Sequence, residues 1–417
     1  MLAAAVGCRS ITERQDVRPL VLRDVPAQRL AYRFEPDIAA PAEIQKNEPV
    51  ERLAPILTDF ESKRSDDALL RTVTSPDGQR ALALYSTEED SRQAFRIDMY
   101  AADGKFLRNV TPPTLSCVFP QTVAWSSDGN FITFIARKSV LPSPSPTPPP
   151  GAELPDTEPS PSPSVAPAFP AVQAFTTEQI YICNRDGFDL KPLTTRDGLI
   201  YFYLSWAPDS HALVALACKE DEWEAREKAF RLPAGRPRLI SLDGKERLLD
   251  DQLTECLPAW SPDSSKVGTT FETDVAIYDA GGNRPTQARI GLREPLLKAS
   301  VEYEEKNSKK KESGEGKGSA SRYDKGSGST ALAVVQGTRA VMTFLSLQNT
   351  EAQGQASQNS LPQTPPPSFN PIVRIEWPSP ESVYLQTAYV RVYTNETINT
   401  FQRWHRLTLS PQAAVLK

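Results

Sequence analysis

Apolar and polar residues alternate along most of this chain in short runs, and the runs come in pairs joined by tight polar turns. In Val123–Ala136 one apolar alternation enters the turn Ser126-Ser-Asp-Gly129 and a second leaves it, which is the pattern of a β-hairpin. Pro suits the second position of such a turn, Asp accepts from nearby backbone N–H groups, and Gly takes the positive φ that closes it. The same turn recurs at Thr74–Gly78, Trp125–Gly129, Trp206–Ser210 and Trp260–Ser264, with a worn copy at Trp377–Ser382. A unit repeated at intervals of roughly fifty residues marks a repeat architecture, which is read before any single residue.

Each hairpin is followed by a second strand pair closed by Asp-Gly or Gly-Gly, in Phe95–Gly104, Ile180–Gly187, Pro237–Gly244 and Val275–Gly282. One unit therefore supplies four antiparallel strands, and four-stranded units repeated radially make a β-propeller. The fold class expected is all-β, a propeller of four-stranded blades. The Trp before each turn (Trp125, Trp206, Trp260) has the size to fill the space between neighbouring sheets. The turn aspartates Asp77, Asp128, Asp209 and Asp263 hold the same repeat position, so backbone capping is their expected role, not a carboxylate cluster.

Trp-Ser-Pro-Asp-Gly, then a strand of the form Ile-Tyr-x-x-Asp/Asn and a Leu-Thr exit, resembles the repeat of the TolB-type propellers of bacterial envelopes. The resemblance covers residues 66–290 well and 371–415 weakly, and the repeat also occurs in the propellers of prolyl-oligopeptidase-like peptidases. It implies six blades and work in a periplasmic protein network. Residues 9–65 do not match the additional N-terminal α/β domain of that family, so the general role of a binding scaffold is what carries over.

Residues 66–114, 115–197, 198–252, 253–290 and 371–417 read as blades, and 291–350 has room for one more built from Pro295–Tyr303 with Ala331–Leu347. Six blades are expected, with five as the alternative. Within the N-terminal extension, Pro19–Arg23 and Gln28–Arg33 are strand-like runs suited to completing the last sheet and hiding its edge. Low-complexity insertions at 142–170, 302–329 and 349–369 lack the apolar content that ordering requires. The first of these, rich in Pro, is either a tolerated loop or a tether.

Composition changes this picture little. The chain has 417 residues, 39% apolar content, 38 Pro, a formal charge of −5 and a pI near 5.4, which suits a β-protein with long loops and gives no electrostatic reason to expect nucleic acid. Residues 1–8 read as the remnant of a lipoprotein signal in which Gly7 precedes an acylated Cys8, although the basic start and full apolar core of such a signal are missing. No other run approaches the apolar length of a membrane span. The expected location is the periplasm or cell envelope, with a lipid anchor as the sole membrane attachment.

Chemistry is sparse. Cys117, Cys183, Cys218 and Cys256 have no metal-like spacing and read as buried thiols, with a disulfide as the alternative; His211 and His405 have no ligand neighbours. No Gly-x-Ser-x-Gly elbow is present, and the run Gly314–Ser319 lacks the Gly-Lys-Ser/Thr ending of a phosphate loop. No catalytic, cofactor-binding or metal residue is assigned, and a non-enzymatic monomer acting on envelope proteins is expected. The competing expectation is an accessory or sugar-binding module related to peptidase propellers. One insertion stands out: Lys219–Arg231 is helix-prone, pairs Glu222 with Arg226 and Glu224 with Lys228 at i,i+4 spacing, and offers Trp223 and Phe230 as candidate partner contacts against a solvated loop helix.

Overall fold

A computed structural model describes residues 21–41, 51–87, 94–139, 171–312, 370–392 and 397–412. Cys8, the insertions at 142–170 and 349–369, and Ala331–Leu347 lie outside the described residues. Strand β1 (Leu30–Ile38) and helix α1 (Ala54–Lys63) precede the first sheet, β2 (Ala68–Thr74), β3 (Arg80–Ser86), β4 (Arg96–Ala101) and β5 (Phe106–Asn109). The second sheet has an inner strand in two pieces, β6 (Leu115–Val118) and β7 (Ala124–Trp125), both paired with β8 (Phe131–Lys138), followed by β9 (Gln179–Asn184) and β10 (Lys191–Pro192). The third comprises β11 (Leu199–Trp206), β12 (Ala212–Lys219), β13 (Arg236–Ser241) and β14 (Glu246–Leu248), with helix α2 (Glu220–Lys228) inserted after β12. The fourth is β15 (Ala259–Trp260), β16 (Lys266–Phe271), β17 (Asp274–Asp279) and β18 (Gln287–Gly291). After helix α3 (Arg293–Glu312) come β19 (Ile372–Ser379), β20 (Ser382–Val392) and β21 (Thr397–Pro411).

These are the antiparallel blades of a β-propeller, with each sheet ordered from first strand to last. In the fifth sheet β1 takes the outer place, pairing with β21 from Leu30↔Pro411 to Ile38↔Trp404. Only the second of the two N-terminal runs is strand: Leu22–Asp24 forms a 3-10 turn, and the strand begins at Leu30. This segment is also tied to the fourth sheet, where the buried Asp279 accepts from Ala27 N–H at 3.0 Å and from Lys266 Nζ at 3.2 Å.

Successive sheets pack face to face through apolar clusters, and an indole N–H crosses three of these seams. Trp125 Nε1 donates to Val73 O at 3.0 Å, Trp206 Nε1 to Thr133 Oγ1 at 2.9 Å and Trp260 Nε1 to Ser205 O at 3.2 Å. Each large ring therefore fills a seam and satisfies its one donor there. At the fourth seam the approach is close: a Cβ added at Gly268 would lie 2.9 Å from Ile375 Cδ1 and 3.3 Å from Trp377.

That seam corrects the sequence reading of 291–350. The fourth sheet packs directly on the fifth, with Val275, Ile277, Ile375, Trp377, Leu385 and Leu407 in one buried cluster, so no blade stands between them. Pro295–Tyr303 belongs to α3, and the described residues hold five blades. Leu296, Ala299 and Ser300 bury one side of a helix, and Pro295 lies in the first turn, where its missing N–H costs nothing. The helix runs on to Glu312, so the first part of the tract 302–329 is ordered rather than unfolded, because a nucleated helix propagates cheaply.

The outer face of the first sheet is covered by α1, not by a blade. Ile56 and Phe60 pack on Leu69, Ala81, Ala83, Tyr85 and Tyr100. The approach is close enough that a Cβ at Gly104, whose φ is +86°, would lie 2.6 Å from Pro55 Cβ.

His405, in the core of the fifth sheet, is 1% exposed and has its pKa pushed down to about 4, first by burial and then by the Arg403 charge, against the opposing pull of Asp37. Its Nε2 lies 3.0 Å from Thr387 Oγ1, and its ring stacks on Phe34 at 5.5 Å. Between pH 6.5 and about 4 the unfolded chain binds a proton at His405 that the folded chain refuses, so stability is fully present above pH 6.5 and falls as pH is lowered through that window. The expected loss is about 2–3 kcal/mol. Urea melts of the native chain and of His405→Gln across pH 4–7 check this; parallel pH dependences would refute it.

Candidate functional site

The described cysteines Cys117, Cys183, Cys218 and Cys256 are buried thiols, not disulfides. Burial pushes the thiols of Cys183, Cys218 and Cys256 up to about 12, which leaves them protonated at neutral pH. Among the described residues no group of three or more His, Cys, Asp or Glu is placed to hold a metal ion, and no helix is long and apolar enough to cross a membrane.

The turn aspartates do not converge; each serves its own turn. Asp77 Oδ1 accepts from Ser75 Oγ at 2.6 Å and Gln79 N at 3.0 Å, and Asp128 Oδ1 accepts from Ser126 Oγ at 2.6 Å and Asn130 N at 3.1 Å. Asp263 Oδ1 accepts from Ser261 Oγ at 2.7 Å and Ser265 N at 3.0 Å, while Asp209 takes His211 N at 3.1 Å. The bond from Ser75 holds the Asp77 carboxyl below its usual range. Burial is the largest single influence at Asp128 and Asp263 and raises their pKa, but the bonds from Ser126 and Asn130, and from Ser261 and Ser265, together outweigh it and hold both carboxyls low.

Two departures from glycine in this motif have a tertiary cause. Ser210 and Ser264 occupy left-handed conformations, φ 63° and 60°, where Gly stands in the first two copies. The Ser210 hydroxyl accepts from Asp128 N–H of the preceding blade at 3.0 Å, and Ser264 accepts from Asp209 N–H at 3.0 Å. The hydroxyls link one turn to the next along this rim, which compensates the backbone strain. Sequence reasoning had no signal for this, since the pairs are 82 and 55 residues apart.

The opposite rim, where β16 ends, carries an opening. It is built around the α2 insertion. Glu220, Asp221 and Glu222 lie in the first turn of α2 and Arg226 and Lys228 in the last, each sign favoured by the helix dipole at that end. Lys228 pairs with Glu224 at 3.1 Å as the spacing predicts. Glu222 instead receives Arg236 Nη1 and Nη2 at 2.7 and 2.8 Å, tying the helix to β13, and Arg226 reaches across to Glu255.

Trp223 corrects the sequence reading as well. It is 5% exposed, with its ring centroid 5.4 Å from that of Phe202 and 5.9 Å from that of Phe119, so it pins α2 to the blades and meets no partner. Phe230, two turns on, has the opposite fate. At φ 51° it swings outward and is 58% exposed, since the chain must reverse there to return to β13.

Arg231, the residue after Phe230, lines a groove of about 820 Å³ whose lining also includes Arg293, Glu255, Glu272 and Asp274. Five separate segments make its walls, and backbone bonds join four of them in pairs. Gly235 and Thr254 exchange N–H···O bonds of 3.0 and 2.9 Å, and Ile372 N donates to Glu272 O at 2.7 Å. Glu272 itself has φ 55°, a strained conformation at the groove edge. The lining combines these charges with apolar side chains, among them Leu232, Leu253, Phe271 and Ile372, and its thiol, Cys256, is kept protonated.

No family model matches the chain, and no curated protein sequence matches it. Among solved structures it is similar to a putative TolB from Agrobacterium tumefaciens, at 14% identity and a TM-score of 0.29, covering 54% of this chain and 67% of that one. An oligogalacturonate lyase in complex with manganese matches at 13% identity and a TM-score of 0.28, covering 52% of this chain and 46% of that one. Prolyl oligopeptidase B from Galerina marginata matches at 11% identity and a TM-score of 0.34, covering 65% and 36%. The chain thus spans less than half the length of the lyase and peptidase chains it matches.

Proposed function

We propose that this chain is a non-catalytic, monomeric propeller that binds envelope proteins, using the rim groove beside Phe230 as its contact surface. The observation that carries the reading is the groove itself: Arg231 and Arg293 line it together with Glu272 and Asp274, and the exposed ring of Phe230 immediately precedes Arg231 in the chain. A large ring flanked by charges of both signs is the composition of a protein contact, the ring supplying area and the charges orientation. Loops on a rigid scaffold are where recognition concentrates, and four of the groove's segments are loops or strand ends. The Gly7-Cys8 pattern supports placement in the envelope through acylation.

The test is site-specific photo-crosslinking in cells from position 230 and, for comparison, from position 79 on the other rim. A partner captured from 230 and not from 79 is expected, with capture falling at least about tenfold in Arg231→Glu/Arg293→Glu. Equal capture from both rims, or capture indifferent to the charge reversal, would reject the groove. Fractionation of Cys8→Ser reports on the anchor separately, and a variant still found in the membrane fraction would reject acylation.

A further inference from the structure

A second cavity, of about 560 Å³, lies between α3 and the fifth sheet and shares no lining residue with the groove. Three of its walls are aromatic rings turned to solvent: Tyr303, Tyr389 and Phe401, which are 48%, 44% and 77% exposed. Large apolar side chains singly on a surface need no explanation, but three around one cavity do. Phe401 is also held at φ 56°, a conformation that a bulky residue adopts at a cost.

The polar floor of this cavity combines one carboxylate, Glu304, with several donors. Arg403 is cancelled by Asp37, which takes its Nε at 2.6 Å and Nη2 at 2.8 Å, while Ser300 Oγ and Ala299 O take further guanidinium hydrogens at 3.0 Å. His405 Nδ1 accepts from Asp37 N–H at 3.4 Å, so its proton sits on Nε2, which donates to Thr387 Oγ1 at 3.0 Å. The Thr387 hydroxyl hydrogen then has no acceptor among the described residues, although this side chain is buried on the cavity wall. Asn370 spends one amide hydrogen on Phe401 O at 3.5 Å and keeps the other. Glu304, the carboxylate of the lining, already has an interaction partner.

We propose that this cavity receives a proline-rich segment of a partner protein in the extended polyproline conformation. Such a segment is uncharged, offers carbonyl acceptors without the N–H groups that would need acceptors in return, and packs flat pyrrolidine rings against aromatic faces. Two of those properties answer ones on the wall: the carbonyls meet the Thr387 and Asn370 donors, and the pyrrolidine rings meet the exposed aromatic rings. A neutral oligosaccharide would also stack on the rings; the peptide is the better match because its carbonyls only accept, as the Thr387 and Asn370 donors require.

The proposal is independent of the groove, because its failure leaves the crosslinking result at position 230 standing. It is tested by fluorescence anisotropy of a labelled decaproline flanked by serines, titrated with the full chain. Saturable binding is expected, weakened at least about tenfold by Phe401→Ala and, separately, by Tyr389→Ala. Absence of binding, or binding unchanged in both variants, overturns the proposal. So does binding of cellohexaose at the same site in place of the peptide. Binding that appears only after Pro362, Pro365, Pro366 and Pro367 are replaced by Ser would reassign the cavity to the chain's own 361–369 sequence and overturn the partner reading.

Discussion

Replacing Arg64 with methionine is expected to destabilise the protein by about 3–5 kcal/mol, because it removes the countercharge of a buried carboxylate. Asp98, 1% exposed on β4, takes Arg64 Nη1 at 2.7 Å and has otherwise only Asn109 Nδ2 at 2.8 Å and Tyr85 Oη at 3.4 Å. The same guanidinium lies 4.3 Å over the Phe60 ring and 4.1 Å over the Tyr85 ring, and its Nε meets Asp67 at 2.8 Å. Arg64 therefore joins the end of α1 to the face that this helix covers, and losing it loosens the helix as well as stranding a charge.

The pH dependence gives the prediction its discrimination. Burial already raises the Asp98 pKa, more than the bonds from Asn109 and Arg64 lower it. Without Arg64 it rises further, and a carboxyl that binds its proton more tightly when folded makes stability fall as pH rises through the interval between the unfolded and folded pKa values. The deficit of the variant is thus smaller at pH 5 than at pH 7. Urea melts at both pH values decide it: a deficit below about 1 kcal/mol, or one independent of pH, would count against the buried pair. The double variant Arg64→Met/Asp98→Asn is expected to recover part of the loss, since a neutral amide carries no stranded charge.

Trp223→Ala is expected to cost about 3–5 kcal/mol, the range for emptying a large aromatic site in a packed interior. Phe230→Ala, seven residues later, is expected to stay within about 0.5 kcal/mol because the ring touches mostly water. The contrast separates an anchor from a contact. Trp223→Ala also frees α2, so exchange protection across 219–236 falls and the groove loses its upper wall, whereas Phe230→Ala leaves protection intact and acts on partner capture alone. An unchanged melt for Trp223→Ala, or equal losses for both variants, would refute the division. Trp223→Phe, which keeps a ring between Phe119 and Phe202, is expected to restore about half of the stability.

Sequence could not make that division. Trp223 and Phe230 are both large rings in a charged helical insertion, and local spacing cannot say which one finds a pocket. The pocket is made by Phe202 on the neighbouring strand and by Phe119, whose left-handed φ of 60° breaks the inner strand of the second blade. The pairing of Glu222 failed for the same reason. The i,i+4 partner Arg226 was available, but Arg236 on β13 offered two bonds where a helix neighbour offers a looser, solvated one.

What the chain's own order of residues determined is the hairpin and its repetition. Ser126, Asp128 and Asn130 close their turn within a few residues, as do Ser261, Asp263 and Ser265, so the signal is local and survives in any context. Short apolar runs along β3, β8 and β12, buried on both faces, then dictate strands packed between sheets, and repetition of that unit dictates stacked blades. Only the tertiary structure decided what sits at the ends of the stack and on its rims. Whether 295–303 became strand or helix depended on the fourth sheet meeting the fifth directly; Ser210 and Ser264 replaced glycine because a turn in another blade supplied an N–H. The groove and the aromatic cavity gather residues up to a hundred or more positions apart. Their chemistry lies in those juxtapositions, which no local pattern encodes.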